Sequence, residues 1–359
     1  MTEKLELVSP RGYCAGVDRA IETVERVLEE IGPPVYVRGE IVHNTHVVAT
    51  LAAKGAVFVD SESQVPEGQT IILSAHGVSP EVRRVCGERN LRVIDATCPL
   101  VSKVHAEVRR YAARGATVLL VGHLDHDEVI GTMGEAPDSV IVVENVADAE
   151  RVEVDDPSNV ALTTQTTLSI DDTTAIVEVL RRRFPELWSP KSSDICYATQ
   201  NRQDAVREVV QAGADLVLVV GSRNSSNSNR MVEVAQAAGC EAYLLDNDDE
   251  LDTAWLTGKR RVALTAGASA PEVLVQEVAR LLEDAGSSSP VRSAPRRVAG
   301  RSRRARQSMT VGPSIVKLGG SDAASSSASS ARRGSISRST GRPSASRGTS
   351  TPAASSQRA

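Results

Sequence analysis

The strongest constraint in this chain is a repeat of order rather than of letters. Cys14, Cys98 and Cys196 stand at steps of 84 and 98 residues, and each comes immediately before an amphipathic helix. Behind Cys14, Ala20, Ile21, Val24, Val27, Leu28 and Ile31 recur at the spacing that gives a helix one buried face. Val101, Val104, Val108 and Tyr111 do the same behind Cys98, and Val206, Val209 and Val210 behind Cys196. A glycine then stops each helix (Gly32, Gly115, Gly213) and an apolar strand follows: "PVYVRG", "ATVLLVG", "DLVLVVG". Each strand runs into a loop crowded with His, Ser, Asn or Thr. Counted from its cysteine, that loop arrives after 29, 28 and 29 residues, at His43, His126 and Ser225.

A second polar loop comes later in each unit, after a further strand: "TIILSAHGVS" (70–79), "VALTTQTTLS" (160–169) and "RVALTAGASAP" (261–271). "LRVID" then leads into Cys98, and the N-terminal "LELVS" leads into Cys14, where it can complete the third unit by circular closure. Strand–loop–helix alternation at this density predicts parallel sheets with right-handed crossovers. Such sheets bind ligands beyond the carboxyl ends of their strands, where these loops lie. The expected fold class is α/β: three small parallel-sheet domains in pseudo-threefold arrangement around one central cavity. The expected divisions are 1–97, 98–195 and 196–284, followed by a tail over 285–359.

Charge separates the tail from the rest. Residues 287–359 carry 14 Lys and Arg against one acid, Asp322, a net of +13, while the remainder stands at −18. The tail's Ser/Ala/Arg composition has few apolar anchors to offset the cost of ordering, so disorder is expected there. Nonspecific attraction to nucleic acid is one reading of its charge; a solvated tail with no fixed partner is the favoured one, and nucleic acid is not an expected partner. No apolar run approaches the ~20 residues of a membrane span, so a cytoplasmic protein is expected. Five cysteines at long, irregular intervals suggest reduced thiols or metal ligands rather than a disulfide framework.

Three thiolates brought to one point would be one short of a closed iron–sulfur cage, leaving one metal position open. A helix N-terminus lowers a thiol pKa, which suits such a role; three ordinary buried cysteines is the competing reading. Cys86 and Cys240 adjoin no polar loop and are expected to be packing residues. His43, His76, Ser225, Asn227 and Ser269, with Asn44 and Ser226, are compact donors that can hold a diphosphate without a Lys/Arg clamp. The same residues can also serve as helix caps, and spacing does not separate the two roles. "HLDHDE" (123–128) admits three readings: Glu128 as a proton donor raised by burial, a His/carboxylate zinc site of a hydrolase, or a solvated acidic turn.

"PRGYCAGVDRAI" (10–21), "VHN" (42–44), "SAHGVS" (74–79), "DATCPLV" (95–101), "GHLDHDEVIGTMG" (122–134), "TQTTLS" (164–169), "DICYATQNRQ" (194–203), "GSRNSSNSNR" (221–230) and "TAGASAP" (265–271) stand in order along the chain. Together they resemble the 4-hydroxy-3-methylbut-2-enyl diphosphate reductase family, from about residue 5 to 283. That resemblance implies the last step of the non-mevalonate isoprenoid pathway, catalysed by three α/β domains around one [4Fe–4S] cluster per chain. Its ligands would be Cys14, Cys98 and Cys196, with the substrate hydroxyl at the fourth iron. His43, His76, Ser225, Ser226, Asn227 and Ser269 would hold the diphosphate. His126, Thr166 and Glu128 would surround the hydroxyl, Glu128 as proton donor. A ferredoxin or flavodoxin would supply electrons.

Overall fold

Each of the three cysteines is the N-cap of a helix: Ala15–Ile31, Pro99–Ala112 and Tyr197–Gln211. The local chemistry explains the starts. Cys14 Sγ accepts a bond from the Val17 amide at 3.5 Å, and Pro99 occupies a first-turn position where its missing N–H leaves nothing unpaired. Gly32, Gly115 and Gly213 close or follow these helices at φ of +74°, +72° and +90°, a conformation that costs only glycine nothing. Ile31, expected on a buried face, is the last residue of its helix and is exposed.

The computed structural model describes residues 4–284 except Lys191, together with Val291 and Arg292. The expected disordered tail otherwise lies outside the described residues, which all belong to one unit of the chain, Met1–Lys317. Strand β1 is Lys4–Leu7. Next, β2 (Val35–Arg38), β3 (Ala56–Val59), β4 (Thr70–Leu73) and β5 (Arg92–Asp95) form one sheet in the order β3-β2-β4-β5. A second sheet, from β6 (Thr117–Val121), β7 (Val140–Val143) and β8 (Val160–Thr164), runs β7-β6-β8. The third takes β9 (Leu216–Val220), β10 (Glu241–Leu245) and β11 (Arg261–Ala266), then β1 and β12 (Val291–Arg292), in the order β10-β9-β11-β1-β12. All pairings are parallel, with Leu7 opposite Leu264 where β1 joins the third sheet. The chain is therefore three small parallel-sheet α/β domains.

Strands β4, β6, β9 and β11 are buried on both faces along nearly their whole length, as parallel sheets covered by helices require, whereas β1 and β2 alternate buried with half-buried residues. Successive residues feed opposite cores: Leu216, Leu218 and Val220 join one cluster, Val217 and Val219 the other. Leu119 and Val121 part from Val118 and Leu120 in the same way, as Ile72 does from Ile71 and Leu73. Leu218, fully buried between β10 and β11, tests this packing. Leu218→Ala should lower stability by about 2–5 kcal/mol, read as a shifted denaturant midpoint at unchanged slope.

The strand register also brings the cysteines together. Cys14 N–H donates to the carbonyl of Ala268, Cys98 N–H to Ala75 and Cys196 N–H to Thr166, at 3.1, 3.0 and 2.9 Å. Every cysteine thus hangs from the second polar loop of a neighbouring strand, the same bond made three times. No helix among the described residues is long and apolar enough to cross a membrane.

Candidate active site

One cavity is lined by Cys14, Cys98, Cys196, His43, His76, His126, Glu128, Thr166, Ser225, Ser226, Asn227 and Ser269, which is every side chain singled out above for thiol, diphosphate or proton chemistry except Asn44. The three thiols are free. Cys86 and Cys240 lie elsewhere, packed in apolar cores, with burial pushing the Cys86 thiol up to about 11. Gly16 explains how the sulfurs approach: a Cβ there would stand 2.9 Å from Cys98 Sγ and 3.8 Å from Cys14 Sγ. At Cys98 the expected lowering of the thiol pKa is overturned. Burial raises it, the Leu100 and Val101 amides oppose that, and the neighbouring Cys14 and Cys196 sulfurs raise it further. A bound cationic centre would offset that rise at Cys98.

Glu128 sits in the helix Asp127–Met133 and is 3% exposed. Thr166 holds both carboxylate oxygens, its amide donating to Oε1 at 2.7 Å and its hydroxyl to Oε2 at 2.9 Å. Burial outweighs those bonds, and with help from Asp194 it pushes the carboxyl up to about 7. His126 caps the same helix: its Nδ1 accepts from the Glu128 amide at 3.1 Å, so the neutral ring carries its proton on Nε2. Burial, then the nearby His43 and His123, lower His126 to about 4, which leaves it neutral at pH 7.

His43 and His76 stack at 3.8 Å between ring centroids, 15° from parallel, with His126 edge-on to both. Burial, then His43 and His126, hold His76 well below the ordinary histidine pKa. His43 Nδ1 donates to Glu40 at 3.1 Å, a bond that lowers the Glu40 carboxyl. Ser269 Oγ donates to the His43 carbonyl at 2.8 Å, tying two domains across the cavity. The capping question also resolves. Asn44 is a cap, accepting from the Val47 amide, and does not line the cavity. Ser225 both caps the helix Ser226–Ala237 and lines the cavity; Ser226 accepts from Thr167 at 2.9 Å. Asn227 Oδ1 accepts from the Ala268 amide at 2.8 Å, while its buried Nδ2 and His76 Nδ1 have no hydrogen-bond partner among the described residues, Asp127 standing 3.8 Å from the latter. No Lys or Arg is among the lining residues, so the donors are imidazoles, hydroxyls and an amide at the positive end of a helix.

The one set of His, Cys, Asp and Glu atoms among the described residues within 4.8 Å of one another is His43, His76 and Asp127. It omits both His126 and Glu128, whose atoms are engaged as described, so "HLDHDE" does not form a zinc site by itself. Sequence reasoning missed Gly16 and Thr167. Glycine in a first helical turn is costly without a reason, and that was the available signal for Gly16. A similar signal marks Gly131, whose absent Cβ would meet the Gly77 backbone at 3.2 Å and so brings the His76 loop against the Glu128 helix.

The sequence profile of the LytB protein family matches residues 5–283. The chain belongs to that family. A 4-hydroxy-3-methylbut-2-enyl diphosphate reductase of Acidothermus cellulolyticus is 59% identical over 281 residues, 78% of this chain and 82% of the relative. The solved structure of the E-1-hydroxy-2-methyl-but-2-enyl-4-diphosphate reductase from Plasmodium falciparum superposes with a TM-score of 0.78 at 41% identity, covering 82% of this chain and 93% of that one. A second solved reductase, described as the terminal enzyme of the non-mevalonate pathway, gives 0.57 at 31% identity over 79% of this chain and all of its own. This LytB chain is accordingly an enzyme, an oxidoreductase of isoprenoid biosynthesis.

Proposed function

We propose that the chain removes the hydroxyl group of (E)-4-hydroxy-3-methylbut-2-enyl diphosphate by two-electron reduction, giving isopentenyl and dimethylallyl diphosphates. One [4Fe–4S] cluster per chain would be held by Cys14, Cys98 and Cys196, with units 1–97, 98–195 and 196–284 meeting around it in the cytoplasm. The observation that carries this reading is Glu128: a buried carboxyl, gripped on both oxygens and raised to about 7, in the same cavity as three free thiols. The cavity fits a cluster on its chemistry. Its three cysteines line one space beside Gly16, which carries no Cβ, and at Cys98 the neighbouring Cys14 and Cys196 raise the thiol pKa, an effect that a bound metal would offset.

When bound, the cluster would supply Lewis acidity at the iron without a protein sulfur and pass on electrons from a small carrier such as a ferredoxin or flavodoxin. His43, His76, Ser225, Ser226, Asn227 and Ser269 bind the diphosphate, with Asn227 Nδ2 and His76 Nδ1, which make no hydrogen bond among the described residues, as open positions for it. That grip fixes the distant hydroxyl, so binding energy is spent on orientation. His126 presents a neutral ring, and Thr166 holds the Glu128 carboxyl in place. Glu128 gives its proton to the hydroxyl oxygen, the C–O bond breaks and water leaves. The C–O bonding pair leaves with the water, two electrons originating from the carrier are taken up by the allylic carbons in its place, and a second proton at either end yields one product or the other.

Protein purified without oxygen should contain iron and acid-labile sulfide. Given the hydroxylated diphosphate and an artificial reductant, it should release both products. Zinc without sulfide, or a cluster with no turnover, would overturn the proposal. The pH dependence follows from the raised carboxyl. Glu128 is the acid only while protonated, so kcat should be highest below pH 7 and fall about tenfold per unit above it. A kcat profile flat to pH 9 would remove Glu128 from the role.

A further inference from the structure

The helices that start at the three cysteines carry a second threefold pattern, made of cations. Arg19 lies five residues after Cys14, Lys103 five after Cys98, and Arg202 six after Cys196. Each reaches to the backbone just ahead of another cysteine. Arg19 Nη2 donates to the carbonyls of Ala96, at 3.2 Å, and Thr97, which precede Cys98. Lys103 Nζ donates to the carbonyls of Ser192 and Ser193 at 3.2 and 3.5 Å and to Asp194 Oδ1 at 2.7 Å, ahead of Cys196. Arg202 Nη2 donates to the Gly12 carbonyl, ahead of Cys14, while its Nη1 holds the Ala198 carbonyl at 2.7 Å. The direction is cyclic: first helix to second thiol, second to third, third to first.

The residues at the receiving ends are themselves fixed. Asp194 is 2% exposed and also accepts from the Thr163 hydroxyl at 2.9 Å and the Thr164 amide at 3.3 Å. Arg202 is the most constrained of the three cations, at 4% exposure with a buried Nε that has no partner. Among the described residues no carboxylate pairs with it; burial lowers its pKa, and Cys14, Cys196 and Tyr197 oppose that. A guanidinium does not give up its proton, and an isolated buried charge is strongly unfavourable. Its two carbonyl partners, Gly12 and Ala198, each stand two residues from Cys14 or Cys196, so the fixed charge sits beside the thiol site.

We propose that Arg19, Lys103 and Arg202 are positioning residues that draw the three thiol loops to one point, and that Arg202 also sets a buried positive charge beside the cluster. This rests on the three-cysteine cluster read above. Polar ties are needed because loops from three separate domains meet here, each beyond the apolar core of its own sheet. A fixed cation nearby favours the reduced, more negative state of a cluster and so raises its potential.

Arg202→Met should assemble iron and sulfide but lose iron to a chelator roughly tenfold faster, since a buried charged hydrogen bond is removed. Its midpoint potential should move negative, lowering kcat with a weak reductant while KM for the diphosphate holds. Arg202→Lys should recover the potential yet stay labile, because an ammonium keeps the charge but does not span Gly12 and Ala198 as the fork does. Lys103→Met and Arg19→Met, at more exposed positions, should speed iron loss with little change in potential. They carry the clamp test, and Arg202→Lys carries the separation of charge from clamp, should Arg202→Met fail to fold. Unchanged iron loss in the variants overturns the clamp, and an unchanged potential in Arg202→Met overturns the charge role. An unmutated protein with no cluster would instead sink the reading of the previous section, so the two failures are told apart.

Discussion

Cys98→Ser is expected to leave a folded protein with almost no iron or sulfide and no reductase activity above background. Serine is a better helix N-cap than cysteine, so the helix Pro99–Ala112 has no reason to fray, and the backbone bond from residue 98 to the Ala75 carbonyl is untouched. What the substitution removes is the thiolate. An alkoxide is not available at neutral pH to replace it, and iron–sulfur clusters are held by soft sulfur ligands. Two remaining sulfurs would face a cluster with two open corners instead of one. Iron and sulfide analysis beside a circular dichroism spectrum checks both halves of the expectation. Cys86→Ser and Cys240→Ser are the controls: they should keep the metal and lose stability, because each puts a hydroxyl into an apolar core. Full iron and full turnover in Cys98→Ser would refute its assignment as a ligand.

Glu128→Gln should lower kcat by about 10²–10⁴ while iron content and KM stay near those of the unmutated enzyme. The amide keeps the shape of the carboxyl and one acceptor for the Thr166 amide, but it has no acidic proton to give. Its NH2 group also meets the Thr166 hydroxyl, which must turn from donor to acceptor. The effect should therefore fall on the chemical step. Steady-state kinetics under a saturating reductant separates kcat from KM, and near-normal turnover would transfer the proton to another group.

Much of the fold was legible along the chain because its signals are local. The apolar spacing behind each cysteine specifies a helix with one buried face, a glycine at positive φ ends it, and runs such as "VLLV" and "LVLVV" specify strands covered on both sides. The candidate site was legible for a related reason. In parallel sheets the loops at one strand end share a side, so equal spacing from Cys14, Cys98 and Cys196 implied that His43, His126 and Ser225 would meet. The resemblance to a known family then named the remaining contributors. Local signals did not separate Asn44 from Ser225, since either side chain can cap a helix. They did not find Gly16, whose value lies in a sulfur 82 residues further along the chain. They also gave the wrong sign at Cys98, where a helix end argues for a lower thiol pKa and burial raises it.

Legible along the chain are the starts of the three cysteine helices, the glycines behind them and the strands that follow, with three thiols and a set of compact polar donors at equivalent places in three units. Periodicity of two or 3.6 residues and the capping preferences of Cys, Pro and Gly act between neighbours, so they can be read from the chain alone. Only the tertiary structure decided how these groups behave. The Glu128 carboxyl is pushed up to about 7 because segments far from it in sequence exclude water from it, an effect that outweighs the two bonds from Thr166. Arg202 reaches Gly12 across 190 residues, and Lys103 reaches Asp194 across 91. Desolvation and charge pairing depend on what covers a group in space, and that is settled when the domains pack.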